Sequence, residues 1–179
     1  SAIFLSVAVY AAAFLQSHTP RGGRVFVSCL LAFLGTTSLV ALSQHLALLW
    51  VGLEGTTLSL APLIYSRHDR PSLEAVWKYL VLSSVGIAFA LLAVFLLANA
   101  QGSDAAARPL LLSDLTGRAA HLDAWWLRAA YVFALAGFGT KMGLAPLHTW
   151  KPDAYGQAPS LVGGLLAGTL TTCAFLGVA

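Results

Sequence analysis

The chain has 179 residues, of which 58% are hydrophobic and only 9% are Asp, Glu, Lys or Arg, against roughly 45–50% and about 25% in soluble domains. With a mean hydropathy of +0.78 it is excluded as a soluble enzyme, a nucleic-acid reader or a disordered linker. Its net charge of +3 comes from basic residues spread thinly between apolar runs, with no stripe or cluster.

Charge-free runs at Ser1 to Pro20, Val25 to Leu53, Tyr79 to Ser103 and Ala154 to Ala179 reach the ~20 apolar residues that cross a bilayer as a helix. Six spans are read along the chain. The first covers Ser1 to about Gln16 and ends in the turn-forming segment from Ser17 to Arg24. The second, Val25 to about Leu42, meets the third, His45 to about Tyr65, across the short corner Ser43-Gln44-His45. The fourth runs from Leu73 to about Ala98. Before it, Ser72 lacks an acidic residue three positions on for a capping box, whereas Glu74 suits the first turn of a helix. A polar loop over about residues 100–125 follows, expected on the extracytoplasmic side. The fifth span runs from near Leu127 toward Trp150 and the sixth from near Ala158 to Ala179. The runs are helices and not barrel strands, because they lack the alternation of lipid-facing and lumen-facing residues. Both ends lie in apolar stretches without an initiating Met, as expected of part of a longer polytopic chain.

If the spans alternate sides, the connections with Arg21 and Arg24, with Arg67 and Arg70, and with Lys151 share one side, which the positive-inside rule makes cytoplasmic. Trp125, Trp126 and Trp150 near span ends read as interfacial anchors. Cys29 and Cys173, each within an apolar run, read as small buried residues and not as a disulfide or a CxxC motif.

The informative residues are charges placed in hydrocarbon. Glu54 lies near the middle of the third span and Lys141 similarly deep in the fifth, where an unpaired charge is unfavourable by several kcal/mol. Thr56 and Thr57 are candidate partners for the carboxylate. Lys78, about one and a half turns into the fourth span, can snorkel toward the headgroups or pair with Glu74 at i,i+4. An acid and a base on separate helices form a proton switch, because changing their separation or hydration changes the protonation of both. Around Lys141, Gly137, Gly139 and Gly143 weaken the helix and Pro146 breaks its hydrogen-bond ladder, the pattern of backbone that lines a buried polar cavity. His148 stands just past the break, and histidine as a residue type suits a proton wire, while His45 reads as an ordinary corner residue. Thr36, Thr37, Ser38, Ser83, Ser84, Thr169, Thr171 and Thr172 can position water or serve as helix contacts. No metal-ligand spacing, redox motif or cofactor fingerprint is found, so any electron transfer must be supplied by partners.

Three ordered segments carry a resemblance. They are Leu49-Trp50-Val51-Gly52-Leu53-Glu54-Gly55-Thr56-Thr57-Leu58, Leu73-Glu74-Ala75-Val76-Trp77-Lys78-Tyr79, and Gly139 to Trp150 followed by Pro152-Asp153-Ala154. Together, over about His45 to Gly168, the chain resembles the antiporter-like proton-channel subunits of respiratory complex I and group-4 membrane-bound hydrogenases, nearest in motif to the hydrogenase-4 component F and formate-hydrogenlyase branch. The resemblance implies an all-α transmembrane bundle of about fourteen helices, of which this chain supplies roughly the third to the eighth, the seventh being broken. Glu54 falls on the family's acidic residue of the fifth helix, Lys78 on the lysine of the sixth and Lys141 on that of the seventh, together a proposed proton path. It further implies a multi-pass subunit of the prokaryotic inner membrane, working with other membrane subunits and a peripheral redox arm of an NADH:quinone oxidoreductase-like or hydrogenase-like complex. Where the branch usually reads Trp-Leu-Pro-Asp-Ala-His, this chain has Trp150-Lys151-Pro152-Asp153-Ala154-Tyr155, Leu161 replaces a common proline, and Ala167 stands near a His or Lys of several relatives. Two other readings are a subunit of a cation/proton antiporter or inorganic-carbon uptake system, which shares the fold, and a structural membrane anchor whose charges only lock helices together.

Overall fold

A computed structural model describes residues 5, 9–11, 23–102 and 110–178. Apart from residues 5 and 9–11, which are helical, the expected first span lies outside the described residues, as do Arg21 and residues 103–109 of the polar loop, Arg108 among them. The elements in order are α1 (Gly23–Leu42), α2 (Leu46–Ile64), a 3₁₀ turn (Tyr65–Arg67), α3 (Arg70–Ala100), α4 (Leu112–Gly117), a second 3₁₀ turn (Ala119–His121), α5 (Ala124–Met142), α6 (Trp150–Gln157) and α7 (Ser160–Phe175). Among the described residues the only β pairing is an isolated bridge between His45 and Leu111.

Among the described residues, three helical stretches are long and apolar enough to cross a membrane: α1, α2 with its 3₁₀ extension, and α3. The remaining two expected spans are interrupted. The fifth stops at Met142 instead of running to Trp150, and the sixth is the shorter helix α7, whose middle turn, Leu165–Leu170, is π-helical. The outer surface of the bundle is itself apolar, with Leu42 81% and Trp77 67% exposed, as suits contact with lipid or further helices and not with water.

Small residues bring the helices together. The broadest contact joins α3 and α5. A Cβ on Gly137 would lie 2.4 Å from the Ala90 backbone nitrogen, and one on Gly86 would lie 2.7 Å from Thr140 Cβ. Helix α1 meets α2 in the same manner, with Gly52 against Val40 and Gly55 against Thr36. Close backbone approach of this kind replaces the hydrophobic drive that lipid removes.

The starts of α2, α3 and α5 are capped by side chains. His45 Nδ1 accepts the Ala47 amide at 3.1 Å, consistent with an ordinary corner residue. Asp123 accepts the Trp125 amide at 2.8 Å and so starts α5. Helix α3 begins at Arg70, earlier than expected, because Asp69 and not Ser72 is its cap. Asp69 Oδ1 accepts the Ser72 amide at 2.8 Å and the Asp69 amide donates to Ser72 Oγ at 3.2 Å, a complete capping box. The Ser72 hydroxyl and amide hold the Asp69 carboxyl below the usual carboxylate range.

The connections sort to two ends. The Leu46 amide donates to Leu110 O at 3.0 Å and the Leu112 amide to Gln44 O at 2.9 Å, so the α1–α2 corner and the loop over about residues 100–125 meet at one end. That loop is partly folded, since it contains α4. At the other end, the start of α3 is ion-paired to α6 through Lys78 and Asp153.

Candidate functional site

The site is built around the end of α5. That helix stops because Gly143 adopts a left-handed conformation, φ 78°, which glycine tolerates without a Cβ clash. The Gly143 amide donates to Thr140 O and the Leu144 amide to Gly139 O at 2.9 Å. Residues 143–149, which include the cis peptide Ala145–Pro146, carry the chain from α5 to α6 without regular helix. A helix that ends inside a bundle leaves carbonyls to be satisfied. Two side chains from beyond the break reach back to do so. Trp150 Nε1 donates to Thr140 O at 2.9 Å, and Lys151 Nζ donates to Met142 O at 2.8 Å. Trp150 is therefore 0% exposed and is not the interfacial anchor that its position near a span end suggests; Trp125 and Trp126 are exposed.

Lys141, in the last turn of α5, is 0% exposed. Its ammonium donates to Thr57 Oγ1 of α2 and lies 5.8 Å from the centroid of the Tyr79 ring of α3. Thr57 Oγ1 in turn is 3.5 Å from Glu54 Oε2, one turn earlier on α2. Glu54 is half-buried and Thr57 fully buried. The acid and the base picked out from the sequence thus meet through the Thr57 hydroxyl and not through a direct Glu54–Lys141 ion pair. Thr56 does not contribute, because its hydroxyl donates back to Leu53 O at 2.6 Å.

Lys78 and His148 stand elsewhere. Lys78 Nζ is 2.7 Å from Glu74 Oε1 and 2.8 Å from Asp153 Oδ2, with nearly half of its side chain exposed. Consecutive residues of a helix point about 100° apart, so with Tyr79 turned inward toward Lys141, Lys78 faces α6. His148 is exposed in the break and only its carbonyl has a described partner, the Lys151 amide at 2.9 Å.

Three features of the site are not readable as such from the chain. Thr57 can be anticipated as a partner for Glu54 by its i,i+3 spacing, but not as the acceptor for Lys141. Tyr79 and Ser83 are both 0% exposed on one face of α3, and neither hydroxyl completes a regular hydrogen bond among the described residues. The π turn of α7 is marked by Thr171 Oγ1, which donates to Leu166 O five residues back at 3.1 Å, and it buries Thr169 Oγ1 without a described partner. Cys29 and Cys173 are free thiols.

Residues 43–179 match the family described as NADH:quinone oxidoreductase/Mrp antiporter, TM. The hydrogenase-4 component F homolog of Methylacidiphilum infernorum is 35% identical over 164 residues, covering 89% of this chain and 34% of that protein. NADH-quinone oxidoreductase subunit N of Methylococcus capsulatus is 36% identical over 166 residues, covering 91% of this chain and 32% of that protein. This chain therefore spans about a third of the length of these relatives. Among solved structures, a chain of respiratory complex I from Thermus thermophilus superposes with a TM-score of 0.77 at 30% identity, covering 98% of this chain and 38% of that one. An archaeal membrane-bound sulfane sulfur reductase complex shares the fold, with a TM-score of 0.76 at 23% identity over 84% of this chain and 30% of its own. The three sequence segments noted above, the broken α5 helix and the match over residues 43–179 agree: the chain belongs to the transmembrane family of NADH:quinone oxidoreductase and Mrp antiporter subunits.

Proposed function

We propose that this chain is the proton-conducting part of an antiporter-like membrane subunit, moving protons through Glu54 and Lys141. Partner subunits of an NADH:quinone oxidoreductase-like or hydrogenase-like complex, including a peripheral redox arm, would supply the driving electron transfer. The observation that carries the reading is the buried Lys141 held through Thr57 against Glu54. A basic and an acidic group that share a desolvated hydroxyl exchange protons when a neighbouring helix changes their separation or hydration. The break after Met142 gives α5 a place to move. Lys78, joined to Glu74 and Asp153, and His148 are assigned to the mouth of the path at the basic end of the bundle, which the positive-inside rule puts in the cytoplasm. On this reading all 179 residues belong to one partial transmembrane domain of a prokaryotic inner-membrane protein. The loop over about residues 100–125 faces the opposite side, and the segment needs no cofactor of its own.

The test uses the full-length subunit in its assembled complex in sealed vesicles. Glu54→Gln and Lys141→Met are expected to lower proton translocation about tenfold or more, as for loss of a proton-transfer group, with the amount of assembled complex unchanged. Loss of assembled complex with normal translocation by what remains would instead favour a structural anchor. A second reading, cation/proton antiport, is favoured by the antiporter half of the matched family. It predicts that a sodium gradient alone drives proton movement in the same vesicles.

A further inference from the structure

The hydroxyl between the acid and the base has more acceptors than protons. Thr57 Oγ1 receives a hydrogen bond from the Lys141 ammonium, which leaves its single hydroxyl proton to be placed. Two acceptors compete for it: Leu53 O at 3.3 Å and Glu54 Oε2 at 3.5 Å. Both exceed the 2.5–3.0 Å usual for an O–H···O bond, so the hydroxyl is committed to neither. Thr57 is 0% exposed, which removes bulk water as a third acceptor. Tyr79, also 0% exposed, has its hydroxyl directed at Thr57, without reaching regular hydrogen-bond geometry among the described residues.

We propose that Thr57 is a proton-passing residue and the gate of the path, its hydroxyl turning between the Leu53 carbonyl and the Glu54 carboxylate. Turned to Glu54, it closes a continuous chain from Lys141. A Lys141 N–H bond breaks as an O–H bond forms on Thr57, while the original Thr57 O–H bond breaks as one forms on Glu54 Oε2. One proton crosses, the ammonium and carboxylate become amine and carboxylic acid, and Thr57 is left neutral with its proton exchanged. Turned to Leu53 O, the hydroxyl leaves the chain open and the two charges stay apart. A small rotation about one side-chain bond then does what would otherwise need the two helices to close into direct contact.

This proposal rests on the proton-conducting reading, and the experiment separates their failures. In the assembled complex, proton translocation per complex is measured for Thr57→Ser, Thr57→Val and Thr57→Ala beside Glu54→Gln and Lys141→Met. The relay predicts that Ser keeps translocation within about twofold and Val loses about tenfold or more. Ala falls between them, because the space it opens admits a water that can pass a proton. A packing role predicts the reverse order, Val mildest and Ala worst, since Val keeps the shape and Ala leaves a cavity; that order overturns the proposal, as does parental translocation by Val. If the Val variant does not assemble, the ratio of rates in H₂O and D₂O decides. A changed ratio in Ala, with the parental ratio in Ser, supports the relay, and the parental ratio in both overturns it. Parental translocation by Glu54→Gln and Lys141→Met would overturn the functional reading itself, whereas loss in those two with no loss in Thr57→Val would overturn only the role of Thr57.

Discussion

Two adjacent residues of α3 show how little distance in sequence separates the buried site from the surface. Tyr79 is sealed against Lys141 and Trp150, its ring centroid 5.1 Å from that of the tryptophan, while Lys78 next to it is in an exposed triad with Glu74 and Asp153. Trp150 is the counterpart on the other side of the break: it is buried because Thr140 O, freed where α5 ends, needs a donor. Thr140 O also accepts the Gly143 amide at 3.1 Å, so removing the indole donor leaves it one partner. Trp150→Phe, which keeps most of the ring but loses the N–H, is therefore expected to destabilise the full subunit by only about 0.5–1.5 kcal/mol, read as a lowered Tm in detergent. An unchanged Tm would mean that the bond across the break contributes nothing to stability.

Individual helices were legible in the sequence to the extent that their ends carry local signals. The starts of α1 and α2 and the weakness of α5 around its glycines follow from apolar runs, a corner and Gly-Pro punctuation. The chain alone suggests a start for α3 that is too late, because Ser72 reads as a cap that lacks an acidic residue three positions on. The operative pair runs the other way, from Asp69 to Ser72. The π turn in α7 had no such signal, since its sequence is as apolar as its flanks. Where helices pack, the glycines decide. Gly137→Ala places a methyl against the Ala90 and Gly86 backbones, which cannot swing aside as a side chain can. The resulting strain of about 1–3 kcal/mol outweighs the gain of roughly 1 kcal/mol that alanine brings to a helix interior. Gly35→Ala, whose methyl would meet nothing within 4 Å, is the control and is expected to hold or raise the Tm. Equal Tm values for the two variants would show that α3 and α5 are not in close contact in the membrane.

At the scale of the molecule, alternation of the spans makes a testable statement about sides. The pairing of residues 44–46 with 110–112 at one end and of Lys78 with Asp153 at the other is what alternate crossing requires. With Cys29 and Cys173 both replaced by Ser, Ser66→Cys is expected to react with a membrane-impermeant maleimide only in inside-out vesicles, and Ser113→Cys only in intact cells. Labelling of both from one side would contradict alternate crossing. The exposed apolar surface of α1, α3 and α5 belongs to the same scale: the two sequence relatives described above are about three times as long, and on the proposed reading further helices and neighbouring subunits would pack on this surface.

Composition and spacing along the chain are enough to show the apolar surroundings, the helical class and the approximate extents of α1, α2 and α3, and to single out Glu54 and Lys141 as an acid and a base within apolar runs. They do not determine which charged groups share a site. Lys78, Lys141 and His148 all stood as candidates, because helical periodicity gives positions around one axis but not the rotation and depth of one helix against another. The close approaches at Gly86 and Gly137 set that rotation, turning Tyr79 inward and Lys78 outward, and the stop at Gly143 set the depth of Lys141 opposite Thr57. Only the packed structure, therefore, decided that the acid and the base meet through a threonine hydroxyl.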